Sequence, residues 1–314
     1  MRTLIEGHHY FEDATFPFYA MIQPQDDFAN HAHDFTELVV VLDGNAEHVI
    51  DDRPYPLCSG DVFVVNGSVT HGYRNTKNLQ IVNILLGESI VQLLENSLSD
   101  LAGYRALFYL GPRLRTERGF KGQIHIGPEE LSHITNHIAH IISELQGKRE
   151  GYKQMVVAMF QQLLIDLCRK LSLSSDAVTR ELTSVGSVIG YLNNHFNDQI
   201  TLQKVQELSG MPLRTFLRQF RRATGLSPIQ YLIHVRVANA RSLLIETDKK
   251  ISWIAGETGF DDSNYFSRQF RRIVGLTPLK FRERNLRPNS SPIENPYPEL
   301  DLAQIPAKGA SDRR

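Results

Sequence analysis

Cysteine is scarce in this 314-residue chain, with Cys58 and Cys168 the whole complement. Two thiols so far apart provide neither a disulfide framework nor a Cys-x2-Cys metal site. The fold must therefore rest on buried apolar surface, and the chain is long enough for two cores. Sparse thiols suit a reducing setting, so the expected location is the cytoplasm. Long apolar runs are also missing. Residues 38–42 are five consecutive apolar residues, whereas a membrane helix needs about 20. The first twenty residues carry acidic groups and no continuous apolar stretch, so neither a secretory signal peptide nor a membrane partner is expected.

Net charge is nearly absent too, at −1, but the total conceals a division. Residues 186–287 hold 16 Lys and Arg against 8 Asp and Glu, a net of +8. Residues 1–185 hold 15 against 23, a net of −8. A basic segment joined to an acidic one fits a DNA-binding unit with a regulatory unit. A solvated, lysine-rich helical face is the bland reading. It is the weaker one because the excess is mostly Arg and the Arg residues recur in a repeat.

Residues 15–86 read as short strands. Asp43-Gly44 is expected to turn a hairpin between 35–42 and 46–50. Further turns are expected at 51–54 and 59–61, followed by strands over 62–66 and 79–86. Strands this short and close predict a small barrel. From 128 to 171 the period becomes helical. Leu131, Ile134, Ile138, Ile141 and Leu145 recur at steps of three and four. After a break at 147–151, Met155, Met159 and Leu163, with Phe160, Leu164 and Leu167, form a second stripe. Two readings stay open: the helices cover the barrel, or their seam meets a second subunit as a short coiled coil. The Ser-rich stretch 172–185 reads as a linker. Five prolines after Arg287 mark 288–314 as a disordered tail.

The most specific feature is a repeat. Gln219-Phe220-Arg221-Arg222, then Thr224-Gly225-Leu226-Ser227-Pro228, returns as Gln269-Phe270-Arg271-Arg272, then Val274-Gly275-Leu276-Thr277-Pro278. Two copies of a helical unit with a Gly at the turn suggest paired helix-turn-helix elements. In the first, Leu202, Val205 and Leu208 set a helix face, Gly210 supplies the turn, and a second helix runs over 213–223 around Phe216 and Phe220. Arg214, Leu217, Arg218 and Arg221 then point away from the core, as a recognition helix requires. In the second, Ile251, Ile254 and Ala255 precede Gly259-Phe260, and Asp261-Asp262 occupy a capping position. Phe266 and Phe270 repeat the core pair, leaving Asn264, Ser267, Arg268 and Arg271 exposed. Arg221 and Arg271, farther along, suit phosphates. Met211 to Phe220 is nine steps and Phe260 to Phe270 is ten, so the two helices are expected to start one residue out of register. A helix over 228–244 would hold the units apart.

Here a resemblance becomes specific. Gly259-Phe260-Asp261-Asp262-Ser263-Asn264-Tyr265-Phe266-Ser267-Arg268-Gln269-Phe270, followed by Gly275-Leu276-Thr277-Pro278, resembles the signature of the AraC family of bacterial transcription regulators. Leu213-Arg214-Thr215, with His31-Ala32-His33-Asp34-Phe35 and Glu37-Leu38-Val39, is most similar to the L-rhamnose operon regulators within that family. The resemblance implies that Arg214, Leu217 and Arg218 face bases in one half-site, and that Asp262, Asn264, Ser267 and Arg268 face DNA in the other. It implies promoter DNA and RNA polymerase as partners. It also implies a sugar effector held in a barrel with no required metal. Two residues depart from the pattern. Pro212 replaces a usual Ser N-cap, so the first recognition helix is expected to start less firmly. Trp253 replaces an acidic residue common in activators, at a position that can face the polymerase.

His31-x-His33-x3-Glu37-x6-Gly44 and Gly60-x5-Asn66, with His71-x3-Asn75, resemble the two motifs of the cupin barrel. Asn66 stands for the usual Pro and Ser68 for the usual Gly. Read as one strand, residues 31, 33 and 37 share parity and face one way, and His71 closes the set. Three imidazoles and a carboxylate suit a divalent transition metal. The same groups offer fixed donors and acceptors to the hydroxyls of a sugar. His48, Tyr55 and Tyr73 are secondary candidates.

The expected fold is α+β. A cupin-like β-barrel with a helical dimerisation segment occupies 1–171, a linker 172–185, and an all-α domain of two helix-turn-helix units 186–287. The expected protein is a homodimeric transcription regulator, an activator answering to a sugar, with no catalytic residue. The alternative is a metal-dependent cupin enzyme carrying an accessory DNA-binding module.

Overall fold

Leu38, Val39, Val40 and Val41 are all fully buried, which requires a strand covered on both faces. The computed structural model supplies both covers. It describes residues 3–67, 69–112, 124–173 and 177–285, in two units divided between residues 186 and 187.

The N-terminal unit is built on an eight-stranded sheet. Its strands are β1 (Thr3–Ile5), β2 (Phe18–Pro24), β3 (Phe28–His33), β4 (Thr36–Ile50), β5 (Arg53–Cys58), β6 (Asp61–Val65), β7 (His71–Leu86) and β8 (Ile124–His125). The order is β1-β3-β7-β4-β6-β8, with β2 also on β7 and β5 also on β4. The long strands β4 and β7 run antiparallel from Thr36↔Leu86 to Ile50↔His71, with register shifts between Val41 and Glu47. Each therefore serves two further neighbours. β6 pairs with 37–40 and β5 with 45–50, while β3 pairs with 28–31 against 71–73 and β2 with 80–86.

Asp43-Gly44 is not a hairpin. β4 passes straight through it, and Gly44 takes φ +79 within the run of register shifts. The left-handed residue serves a bulge that bends a continuous strand. A Cβ there would sit 2.3 Å from the Asn78 carbonyl oxygen. The true two-residue hairpin is Asp51-Asp52, both at positive φ, joining Ile50 to its partner Arg53.

One face of the sheet packs under helices α1 (Glu88–Leu98), α2 (Ala102–Arg105, continued by a π turn Ala106–Leu110), α3 (Pro128–Gly147) and α4 (Tyr152–Leu173). Leu38, Val40, Val82 and Ile84 meet Ile134, Ile138, Ile141, Phe160, Leu163, Leu164 and Leu167 in one cluster. The opposite parity, Val39, Val41, Phe63 and Ile81, forms a second cluster. The helical stripe is thus spent inside its own subunit, with Leu163 only 2 % exposed. Those buried residues are not left for a second chain, while Leu131, Leu145 and Met159 are only partly covered. Met155, at 51 % exposed, lies off that core.

The expected linker is also overturned. Helix α5 spans Ala177–Asn194, and the division between units falls within it. Val185, Val188, Ile189 and Leu192 are buried, so apolar spacing outweighs the local Ser content. Ser68 and the Pro-rich stretch 288–314 lie outside the described residues.

The C-terminal unit continues with α6 (Leu202–Ser209), α7 (Leu213–Thr224), α8 (Pro228–Glu246), α9 (Ile251–Glu257), α10 (Ser263–Val274) and α11 (Pro278–Asn285). Gly210 ends α6 at φ +63, as its turn requires. Ser227 and Gln230 form a capping box on α8. Phe216, Phe220, Phe266 and Phe270 are fully buried, as are Val235, Val237 and Ala240 of α8. Leu208 is 41 % exposed, unlike Val205. Successive steps of three drift about 60° each around a helix, which carries Leu208 off the buried face.

The two recognition helices are in register. α7 and α10 each have 12 residues, with Phe at the fourth and eighth positions of both. The odd count arises in the turns, which span 210–212 in one unit and 258–262 in the other.

Candidate effector pocket and nucleic-acid interface

A cavity of about 270 Å³ lies beside the bend of the sheet, lined by Tyr10, Gln23, Gln25, Phe28, His31, His33, Phe35, Glu37, Tyr73 and Asn83, among others. Strand parity is not what unites its polar residues. His31 and His33 end β3, the chain bends at Asp34-Phe35, and Glu37 belongs to β4. Pairing across the sheet does the work instead, since His31 and His71 are direct partners.

Glu37 is the centre. Its Oε2 lies 3.5 Å from His33 Nε2 and 3.6 Å from His71 Nε2. These three offer ligand atoms within 4.8 Å of one another. His31 is adjacent but differently engaged. Its ring centroid is 4.3 Å from that of His71, while its Nδ1 lies 3.1 Å from the Ala29 carbonyl oxygen. Of the four expected residues, three form the donor set and the fourth lines the wall.

The second nitrogen of each central imidazole is held. His33 Nδ1 lies 2.7 Å from the Phe35 carbonyl oxygen, which can only accept, so Nδ1 carries the proton. His71 Nδ1 lies 3.1 Å from His48 Nε2, and His48 stacks on Phe63 and Tyr73. His48 therefore orients His71. Among the described residues, His33 Nε2, Glu37 Oε2 and His71 Nε2 are buried without a hydrogen-bond partner of ordinary geometry. With Nδ1 holding one proton, His33 Nε2 meets the Glu37 carboxylate favourably only through a second proton or an intervening group. Such a gap is filled by a proton, by a cation, or by a donor from a ligand.

Burial by itself raises the Glu37 carboxyl. Hydrogen bonding from His33, the charges of His71 and His33, and a hydrogen bond from Asn83 outweigh it and hold Glu37 at about 2. Burial pushes His71 well below the ordinary imidazole range, against the pull of Glu37. Burial also lowers His31. Asn83 escaped the sequence reading. Its signal was an amide in the middle of an apolar strand, where Asn is depleted. Tyr73 lines the cavity and Tyr55 does not. Asn75 turns the backbone at φ +55 and donates to Glu47, and Asn66 donates to the Phe108 carbonyl oxygen.

In the C-terminal unit, Arg214, Arg218 and Arg221 are exposed on α7, with Leu217 half-buried beside them. Asn264, Arg268 and Arg271 are exposed on α10, with Ser267 half-buried. Asp262 is committed to capping: its carboxylate accepts from the Tyr265 backbone N–H. Pro212 caps α7 with no side-chain hydrogen bond. The Arg268 guanidinium rests over the Tyr265 ring, 5.9 Å from its centroid.

Not all of the basic excess is available to DNA. Arg236 donates to the carbonyl oxygens of Phe196 and Asp198 at 2.7 and 2.9 Å and covers Phe260. Arg282 clamps the carbonyl oxygens of Leu244 and Lys249 in the same manner. These two hold helix ends together.

Known proteins can be set beside this geometry. A cupin-domain model matches residues 18–85, and a helix-turn-helix-domain model matches 207–284. The chain is 30% identical over 244 residues to the HTH-type transcriptional activator RhaS of Pectobacterium atrosepticum, covering 78% of this chain and 84% of that protein. It is 32% identical over 246 residues to the HTH-type transcriptional activator RhaR of Salmonella arizonae, covering 78% and 83%. A solved structure of the DNA-binding domain of AdpA in complex with a target DNA matches 32% of this chain and 90% of that one, at 32% identity and a TM-score of 0.31.

Proposed function

Because this chain belongs to the AraC family of helix-turn-helix transcription regulators, we propose that it is a cytoplasmic activator whose N-terminal pocket takes a sugar and whose C-terminal helices read promoter DNA. The observation that carries the sugar assignment is the polar centre of the pocket. Buried donors and acceptors from His33, Glu37 and Asn83, with His71 behind Glu37, meet a cavity lined also by Tyr10, Phe28, Phe35 and Tyr73. Ring hydroxyls satisfy such groups in both directions, and aromatic faces cover the C–H surface of a sugar. Nothing in this reading calls for catalysis.

On the DNA side, Arg214 and Arg218 lie one turn apart on an exposed ridge, the spacing of two bidentate guanine contacts. Asn264 and Arg268 occupy the equivalent ridge of α10. Arg221 and Arg271 are placed for phosphates. Promoter DNA and RNA polymerase are the partners of the regulator so proposed, which acts as a homodimer.

A second reading of the pocket has its own observation. His33, Glu37 and His71 fit a divalent transition metal: two imidazoles and a carboxylate with unpartnered ligand atoms, and a His33 Nδ1–H already anchored on a carbonyl oxygen. Such an ion would supply an anchor for ligand hydroxyls.

The test is thermal denaturation of the full chain against a panel of neutral sugars and polyols, with and without chelator. A binding sugar raises the melting temperature by mass action. His33→Ala and Glu37→Gln abolish that rise and leave the uncomplexed protein folded. No rise across the panel removes the sugar assignment. A rise that follows Mn²⁺, Ni²⁺ or Zn²⁺ and vanishes with chelator makes the pocket a metal site.

A further inference from the structure

A second cluster lies at the opposite end of β6 from the pocket. Cys58, Asp61 and His125 bring one thiol, one carboxylate and one imidazole together, with ligand atoms within 4.8 Å of one another. Val65 is the register partner of Glu37, and Asp61 is four residues away on the same strand. The two clusters are therefore about 13 Å apart along β6.

The geometry is held by backbone. Asp61 is 2 % exposed, and its Oδ2 accepts from the Cys58 N–H at 2.8 Å. Its Oδ1 lies 3.1 Å from His125 Nδ1, and Asp61 and His125 are direct cross-strand partners. Gly60 takes φ +90, donates to the Val41 carbonyl oxygen and accepts from Ile126 N–H. A Cβ on Gly60 would sit 2.4 Å from the Ile126 oxygen and 3.1 Å from His125 Cε1. Only glycine lets β8 dock here and deliver His125. The Cys58 and His125 side chains are exposed, and His125 also borders an open depression of about 420 Å³ with Gln80, Ser132 and Asn136. A cation can reach the three donors from solvent.

We infer that Cys58, Asp61 and His125 form a binding site for a borderline-soft divalent cation of the Zn²⁺ class. A thiolate excludes Mg²⁺ and Ca²⁺, which prefer all-oxygen shells, and the S/N/O set suits zinc. Three protein ligands leave a fourth position to water. The bound ion staples the two-residue strand β8 onto β6, directly before α3.

Cobalt(II) titrated into the full-length reduced protein tests this. A thiolate-to-cobalt charge-transfer band in the near ultraviolet reports sulfur ligation, which His33, Glu37 and His71 cannot produce. The band should saturate at one equivalent and disappear when Zn²⁺ is added. Cys58→Ser should lose it, and His125→Ala should weaken binding about tenfold or more, the scale on which even outer contacts to a metal count. Cys168→Ser and Glu37→Gln should retain it, since Cys168 is buried in the helix-covered core. Absence of the band from the wild-type protein, its survival in Cys58→Ser, or an unchanged titration in His125→Ala overturns the site.

Discussion

Arg214 and Arg271 carry the same charge but stand at different places on equivalent helices, at the second position of α7 and the ninth of α10. Near a recognition helix's N-terminus an Arg reaches base edges, and farther along it meets the backbone. Arg214→Ala should therefore lose about 1–3 kcal/mol on its preferred base and relax that one position. Arg271→Ala should weaken every sequence alike and reduce the salt slope by about one unit. Binding of both variants to the operator and to each single-base variant separates the two roles. Uniform loss in Arg214→Ala would make it a phosphate contact. At the same scale, Asp262 is better explained by its cap than by DNA, because its carboxylate already accepts from Tyr265 N–H.

Among the helices, α7 and α10 match in length and in their Phe pairs but not in their N-caps. Asp262→Ala should cost about 1 kcal/mol through α10, while Pro212→Ser should add a cap that α7 lacks. Urea denaturation followed by Trp253, the single tryptophan and a residue of this unit, reads both. The same probe reports α8. His234 is 4 % exposed, and burial, followed by the charge of Arg272, pushes it from 6.5 to about 4. The unfolded chain binds this proton more readily, so the contribution is absent above pH 6.5 and destabilises as pH falls through 6.5 towards 4. The full effect is roughly 3 kcal/mol. His234→Gln should flatten stability in that window, and an unflattened profile would assign the pH dependence to another group.

For the molecule as a whole, association cannot use the buried members of the α3 and α4 stripe, because they already cover the sheet. Leu163→Glu places a carboxylate in a full core and should unfold the N-terminal unit rather than split a dimer. Sedimentation of the wild-type protein at micromolar concentration should still show a dimer. A monomer with and without effector would remove the homodimer from the proposal. A soluble, folded, monomeric Leu163→Glu protein would return the stripe to the interface.

Short-range chemistry was legible along the chain. The Phe216/Phe220 and Phe266/Phe270 pairs, the Arg ridges and the Gly210 turn are all settled within a few residues, by helical period and backbone freedom. So were the residue types of the pocket, because His33, Glu37 and His71 are costly to bury without a purpose. Tertiary structure decided what depends on distant partners. Asp43-Gly44 has hairpin chemistry, yet β7 runs alongside both halves of β4 and turns the same dipeptide into a bulge. The α3 and α4 stripe has coiled-coil spacing, and only the presence of an uncovered sheet face sends it inward. His31 left the donor set because pairing with His71 placed its ring beside the cluster. Asn83 joined the pocket, and His48 came to orient His71, through contacts made across the sheet. Cys58 and His125 are 67 residues apart in sequence, and no local pattern links them. The β6–β8 register sets His125 beside Asp61, and Asp61 in turn holds the Cys58 N–H, so convergence here is a property of strand pairing rather than of sequence spacing.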